Sequence, residues 1–200
     1  MNVSGGQPAL RYYLGGNLSN QVGAIGVSDT IVKLARARGQ LNLPESFFRP
    51  NTSSQFNLQS NVTAAAGSKT TLTLNAGYIR GETRSVDVNF SPYTATISSP
   101  DFSEFIADFS TDIFSRTAEE QNDRLLGSLN AQVRLAPWLS AQGTIGIDGG
   151  TRNQHEFTPN GSAKYEDPTG RVYERQEHSN ATSADASATA SFQRNWISFR

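Results

Sequence analysis

Apolar and polar positions alternate along much of this chain. In segment 53–66, Phe56, Leu58, Val62 and Ala64 fall on one side, and Asn57, Gln59, Asn61 and Thr63 fall on the other. After Gly67-Ser68 the pattern resumes, with Leu72, Leu74, Ala76 and Tyr78 against Thr71, Thr73 and Asn75. Successive side chains of a strand point to opposite faces, so this dyad predicts strands with one apolar and one hydrophilic face. The same reading places strands at 9–19, 53–66, 69–83, 123–135, 138–148, 182–193 and, begun only, 196–200. The connections run long, short, long, short, long, short. The long ones cover about 20–52, 84–122 and 149–181; the short ones are Gly67-Ser68, Ala136-Pro137 and Arg194-Asn195.

That alternation, with strands of about 10–15 residues, predicts an all-β fold: an antiparallel up-and-down transmembrane β-barrel segment of about seven strands with long outer loops. The short turns are assigned to the periplasmic side. Tyr12, Tyr13, Tyr78, Trp138, Phe192 and Trp196 fall near the predicted membrane interfaces, where amphipathic rings gather. Within the loops, Phe102, Phe105, Ile106, Phe109, Ile113 and Phe114 recur at helical spacing, which predicts a short helix over 101–114. A further turn or two of helix is expected at 30–38, and Phe47-Phe48 between Pro44 and Pro50 reads as a packed corner.

Composition narrows the class. The charges nearly balance, 17 basic against 18 acidic residues, so no basic excess points to nucleic acid. Charged residues make up 18%, below the roughly 25% of soluble domains. Negative mean hydropathy argues against helical membrane spans and is compatible with strands whose second face is wet. There is no Cys, hence no disulfide framework and no thiol chemistry. Met1 is not followed by a basic stretch and an apolar run, so an export signal is expected upstream and the chain is expected to be part of a longer protein.

No catalytic constellation is legible, and the expectation is a protein that is not an enzyme and takes no cofactor. His155 and His178 lack helical metal-ligand spacing beside Glu156 and Glu177, and read as loop residues. Asp148-Gly149-Gly150 lacks the alternating acids of a calcium loop and reads as a strand exit. Aromatics among amides and carboxylates are the chemistry of sugar recognition, which makes Tyr93, Phe157, Tyr165 and Tyr173, all in predicted outer loops, candidate substrate-binding residues; the competing reading is loop packing.

Three segments carry a family resemblance: Arg11-Tyr12-Tyr13-Leu14-Gly15-Gly16 continuing to Gln21-Val22-Gly23, then Phe56-Asn57-Leu58-Gln59-Ser60-Asn61-Val62, then Trp138-Leu139-Ser140 through Gly143-Thr144-Ile145-Gly146-Ile147-Asp148. In this order they resemble barrel strands of TonB-dependent outer-membrane transporters of the SusC/RagA-like kind. The resemblance implies about a third of a plugged barrel of about 22 strands. The plug domain and TonB box have no counterpart in this segment. It also implies import of a large nutrient such as an oligosaccharide or peptide, with outer-membrane lipid, a SusD-like lipoprotein and TonB, acting through the plug, as partners. Two other readings stay open: an outer-membrane adhesin or autotransporter-type structural barrel, and a soluble carbohydrate-binding β-sandwich.

Overall fold

The computed structural model describes residues 1–24, 26–37, 43, 45–86, 114, 116–160, 169–194 and 197–199. They form one seven-stranded antiparallel sheet in which strand order follows chain order. The strands are β1 (Asn2–Gln7), β2 (Leu10–Val22), β3 (Thr52–Ala66), β4 (Thr70–Ser85), β5 (Thr117–Ala136), β6 (Leu139–Thr158) and β7 (Arg171–Ala190). Each pairs with the next in a continuous antiparallel register. Two short strands, β8 (Phe192–Arg194) and β9 (Ile197–Phe199), pair only with each other.

The count of seven agrees with the sequence reading, but its membership does not. Strand β1 was not expected, because Val3-Ser4-Gly5-Gly6 carries no alternating pattern; it is held by pairing with the apolar strand β2. The strand expected at 196–200 is represented by β9, which lies outside the large sheet.

The larger correction concerns strand length. Strands β5, β6 and β7 each run 20 residues, well past the expected limits at 123, 148 and 182. Asp148-Gly149-Gly150 is therefore mid-strand in β6, not a strand exit, and His155 and His178 sit in strands, not in a loop. The connection expected over 149–181 shrinks to the residues between Thr158 and Arg171.

The short turns gather at one end of the sheet. Gly67 opens the β3–β4 turn with φ +76°, a left-handed conformation that glycine adopts without a Cβ clash. Pro137 and Trp138 join β5 to β6 after a register shift between Arg134 and Ala136. Proline has no N–H to donate to a ladder and is tolerated there.

At the other end, helix α1 (Asp29–Ala37) starts on an acidic residue and carries Arg36 in its last turn, both favourable to the helix dipole. It falls where a turn or two was expected. Helix α2 (Glu45–Phe48) contains the packed corner: Phe47 is 1% exposed and meets the Phe48 and Phe114 rings edge-on, at 5.8 and 6.0 Å. Pro50, Ala35 and Val86 are also buried. Asn51 ties this cluster to the sheet, its carbonyl accepting from Gly23 N (2.7 Å) and its Oδ1 from Val86 N (3.1 Å). Apart from Phe114, the helix expected at 101–114 lies outside the described residues.

Candidate functional site

The functional surface is the sheet itself, whose two faces carry different chemistry. Directly paired residues in an antiparallel ladder share a face. The register therefore joins Leu10, Ala64, Leu72, Ala131, Gly143 and Ala186 in one row, and Tyr12, Val62, Leu74, Leu129, Ile145 and Ala184 in the next on the same face. These side chains have no core to enter. Leu129 is 45% and Ile145 58% exposed, and Leu14, Leu18, Leu74, Leu125 and Ile147 are likewise exposed. A row of large apolar residues left open on a sheet face is uncommon in a soluble monomer and marks a surface that contacts something apolar.

The opposite face is polar at the same level, neutral across β3 to β6 and carrying Arg11 on β2 and Asp185 on β7. Asn61 donates to Asn75 and Asn75 to Ser128 (3.1 Å), linking β3 to β5, and in the neighbouring row Asn130 donates to Thr144 (2.8 Å), linking β5 to β6.

The apolar band has sharp limits. Towards the long connections its last members are Leu18, Phe56, Tyr78, Leu125, Ile147 and Ala184, followed two residues on by Asn20, Ser54, Arg80, Asp123, Gly149 and Thr182. Segment Leu125–Val133 is nine residues, about 30 Å of strand at about 3.4 Å per residue. The limit is also slanted. The ladder row through Leu18 reaches β7 at His178, whereas the band on β7 ends at Ala184, six residues further along. Spread over five steps between strands about 4.8 Å apart, this offset inclines the strands by about 40° to the normal of the band. At that tilt the band is about 23 Å tall, close to the 25 Å or so of an outer-membrane barrel.

Beyond the band β2 and β3 carry only neutral residues, β4 is charged on the formerly apolar face, and β5 to β7 carry ionisable residues on both faces. On the formerly apolar face, Tyr78 Oη donates to Asp123 (2.6 Å), Arg84 pairs with Glu119 (3.0 Å), His155 Nδ1 lies 3.3 Å from Glu174, and Thr151 bonds His178 (3.1 Å). On the other face, Arg124 pairs with Asp148, and Glu120 accepts from Arg152 (2.6 Å), Asn122 (2.6 Å) and Gln154 (3.1 Å). Arg152 also approaches Glu177 (3.8 Å), which pairs with Arg175. The Arg152 guanidinium and the Asn122 and Gln154 amides hold the Glu120 carboxyl down to about 2, against the opposing effect of burial.

Two of the four candidate substrate-binding residues can be placed. Phe157 and Tyr173 lie in the extensions of β6 and β7, not in loops, because those strands are longer than their dyads suggested. The register sets them on opposite faces: Phe157 pairs with Val172, and Tyr173 with Glu156. They cannot line one site on this sheet. Tyr93 and Tyr165 lie outside the described residues. No group of three or more potential metal ligands is present among the described residues.

Near the short turns, the Trp138 and Phe192 rings stack at 5.3 Å. Among the described residues no helix is long and apolar enough to cross a membrane, which leaves crossing by strands untouched. Neither a protein-family model nor a curated protein matches the chain.

Proposed function

We propose that this chain is part of the wall of an outer-membrane, TonB-dependent transporter of the SusC/RagA-like kind, with the apolar band facing lipid and the neutral polar face lining the lumen. The observation that carries the reading is the slanted apolar band, open on one face of six successive strands and replaced beyond its limit by polar residues on β2 and β3 and by charged ones on β4 to β7. Its height and slope are those of tilted strands crossing a bilayer. A soluble carbohydrate-binding sandwich would bury Leu129 and Ile145 against a second sheet, whereas these side chains are open. The family within the barrel class rests on the strand motifs at 11–23, 56–62 and 138–148.

In this reading the segment is non-catalytic. It contributes wall, lumen lining and outer loops; TonB acts on a plug domain elsewhere in the protein, a SusD-like lipoprotein covers the outer mouth, and a large nutrient such as an oligosaccharide or peptide passes inward. The free edges of β1 and β7 pair with further strands, since an open edge is not tolerated in hydrocarbon.

The test uses the absence of native Cys. Single Ile145→Cys and Thr144→Cys variants of the intact protein in outer membranes are treated with a water-soluble, membrane-impermeant maleimide after opening the cells. Thr144→Cys is expected to react and Ile145→Cys to be protected until detergent is added; equal reactivity in membranes would sink the lipid-facing assignment. Nutrient uptake compared in cells with and without TonB then tests the transporter reading separately, and uptake unchanged by loss of TonB would leave a structural barrel instead.

A further inference from the structure

The short-turn end of the sheet carries cations without partners. Arg134 N donates to Lys69 O (2.8 Å), so these two residues stand opposite each other where β4 and β5 reach the turns. The ladder continues from Arg134 to Ser140 and Thr189, which share their face, the hydrophilic one. Like charges directly opposite in a ladder repel. In the extensions the sheet neutralises its cations: Arg80, Arg84, Arg124, Arg152, Arg171 and Arg175 each pair with a carboxylate. Among the described residues neither Lys69 nor Arg134 has such a partner. Asp185, an acidic residue on the same face, sits four residues along β7 from Thr189 and two strands from Arg134. At about 3.4 Å per residue and about 4.8 Å between strands that is about 17 Å, too far for an ion pair.

Lys69 and Arg134 line one cleft of about 360 Å³. Ser68, Thr71, Ser140 and Thr189 add hydroxyl groups to its wall and Gln132 an amide, and its described lining holds no carboxylate. The volume is that of a site for a small group. The wall offers a guanidinium fork, an ammonium group and neutral donors. Its ligand has to accept several hydrogen bonds and to offset two positive charges within one compact group. A carboxylate or a phosphodiester offsets only one. A phosphate monoester carries close to two negative charges at neutral pH on three terminal oxygens.

We propose that this cleft binds the dianionic head of a phosphate monoester, carried either by a water-soluble molecule or by a lipid. Arg134 meets two of its oxygens with the guanidinium fork, Lys69 supplies a point charge, and the hydroxyl groups and the Gln132 amide complete the set of donors. The site stands on the turn end of the ladder and goes beyond the transporter reading, which gives this end no ligand. In that reading it opens at the periplasmic mouth of the lumen.

The test is titration calorimetry on the intact protein in non-ionic micelles, in mildly alkaline buffer of low salt. The probes are glycerol phosphate as a soluble monoester, dimethyl phosphate as a singly charged diester, and hexaglutamate as an acidic peptide. Glycerol phosphate is expected to bind, with the other two at least about tenfold weaker. Arg134→Gln and Lys69→Gln are each expected to weaken its binding about tenfold, as for loss of a hydrogen bond to a charged group. A second measurement guards against a purely structural effect. In phosphate-free buffer Lys69→Gln should leave the unfolding midpoint unchanged or raise it, because it removes a repulsion. Glycerol phosphate should raise the midpoint of the wild type and not of the variant. The lipid source is read in phosphatidylcholine vesicles with and without phosphatidic acid. A midpoint raised by phosphatidic acid in the wild type but not in Lys69→Gln, without binding of glycerol phosphate, assigns the monoester to a lipid. No response to either source, equal binding of dimethyl phosphate or hexaglutamate, or an affinity unchanged in both variants overturns the proposal. So does a lower midpoint of Lys69→Gln in phosphate-free buffer, which would mean that a protein group already neutralises the lysine. The Ile145→Cys protection experiment reads the membrane assignment independently, so failure of the phosphate site and failure of the barrel are told apart.

Discussion

The lower and upper halves of β5 and β6 share one backbone ladder and differ in the chemistry of their two faces. From Leu125 to Val133 and from Leu139 to Ile147, one face is apolar and the other neutral. From Thr117 to Asp123 and from Thr151 to Thr158, both faces carry charge or amides. Hydrogen bonding between the strands is continuous across the change, so the ladder does not set its position. In the proposed barrel this difference corresponds to a boundary in the surroundings: hydrocarbon against one face below, water against both above. The boundary is also why few described apolar side chains are buried, Phe47, Ala35 and Val86 among the connections; the strands have no interior of their own to fill.

The strongest way to break this comparison is to move charge across the boundary. Ile145→Arg, at mid-band on the apolar face, is expected to destabilise the intact protein by about 2–4 kcal/mol in phospholipid vesicles. The same residue placed at Asn153, on that face but in the charged extension, should cost close to nothing. Urea titration followed by Trp fluorescence would measure both. Equal effects at the two positions would remove the boundary.

A smaller effect is expected on the neutral face of the band. Asn75 accepts from Asn61 and donates to Ser128, so Asn75→Val strands both partners. A loss of about 0.5–1 kcal/mol is expected in the same titration, the net contribution of exposed cross-strand hydrogen bonds whose freed partners can turn to water. Pairing Asn75→Val with Asn61→Val should recover part of the loss. No recovery would mean the amide chain is not a cooperative network.

Smaller again is the change at the boundary itself. Tyr78→Phe keeps the ring beside Phe56, at 6.4 Å between centroids, and removes only the bond to Asp123. The expected outcome is a drop in unfolding midpoint well below that of Asn75→Val. A drop as large as that of Ile145→Arg would mean that Tyr78 fixes the depth of the sheet.

The band was legible in the sequence because a dyad needs two unlike media. Where Leu72, Leu74 and Ala76 alternate with Thr71, Thr73 and Asn75, the pattern alone identifies both strand and face. The extensions were not legible for the converse reason. With Glu119 on one face and Glu120 on the other, both in water, no alternation survives, and the segment reads as loop. The same loss of signal placed Phe157 and Tyr173 in loops. Their separation onto opposite faces depends on the parity of the β6–β7 register, which the residues between those strands conceal. The seat of the Tyr13 ring over Gly15 was missed differently: Arg-Tyr-Tyr-Leu-Gly-Gly was read for its resemblance and for an interfacial ring. Its sequence signal was a glycine two residues after an aromatic on the same face.

The smallest effect expected at neutral pH carries the clearest signature. Glu120 lies in the extension, joined to Arg152, Asn122 and Gln154, and its carboxyl is held from 4.5 down to about 2. A carboxyl whose pKa is lower in the folded protein than in the unfolded chain stabilises the fold fully above its unfolded value. That contribution is lost as pH falls towards the folded value. The wild-type protein should therefore lose stability between about pH 4.5 and about pH 2 by an amount that Glu120→Gln does not share. At pH 7 the variant should be slightly the less stable of the two, since a partly exposed ion pair contributes little. The gap should close as the solution is acidified. Unfolding midpoints of the two proteins across this range would measure it, and parallel curves would show that the Glu120–Arg152 contact leaves the stability of the extension unchanged.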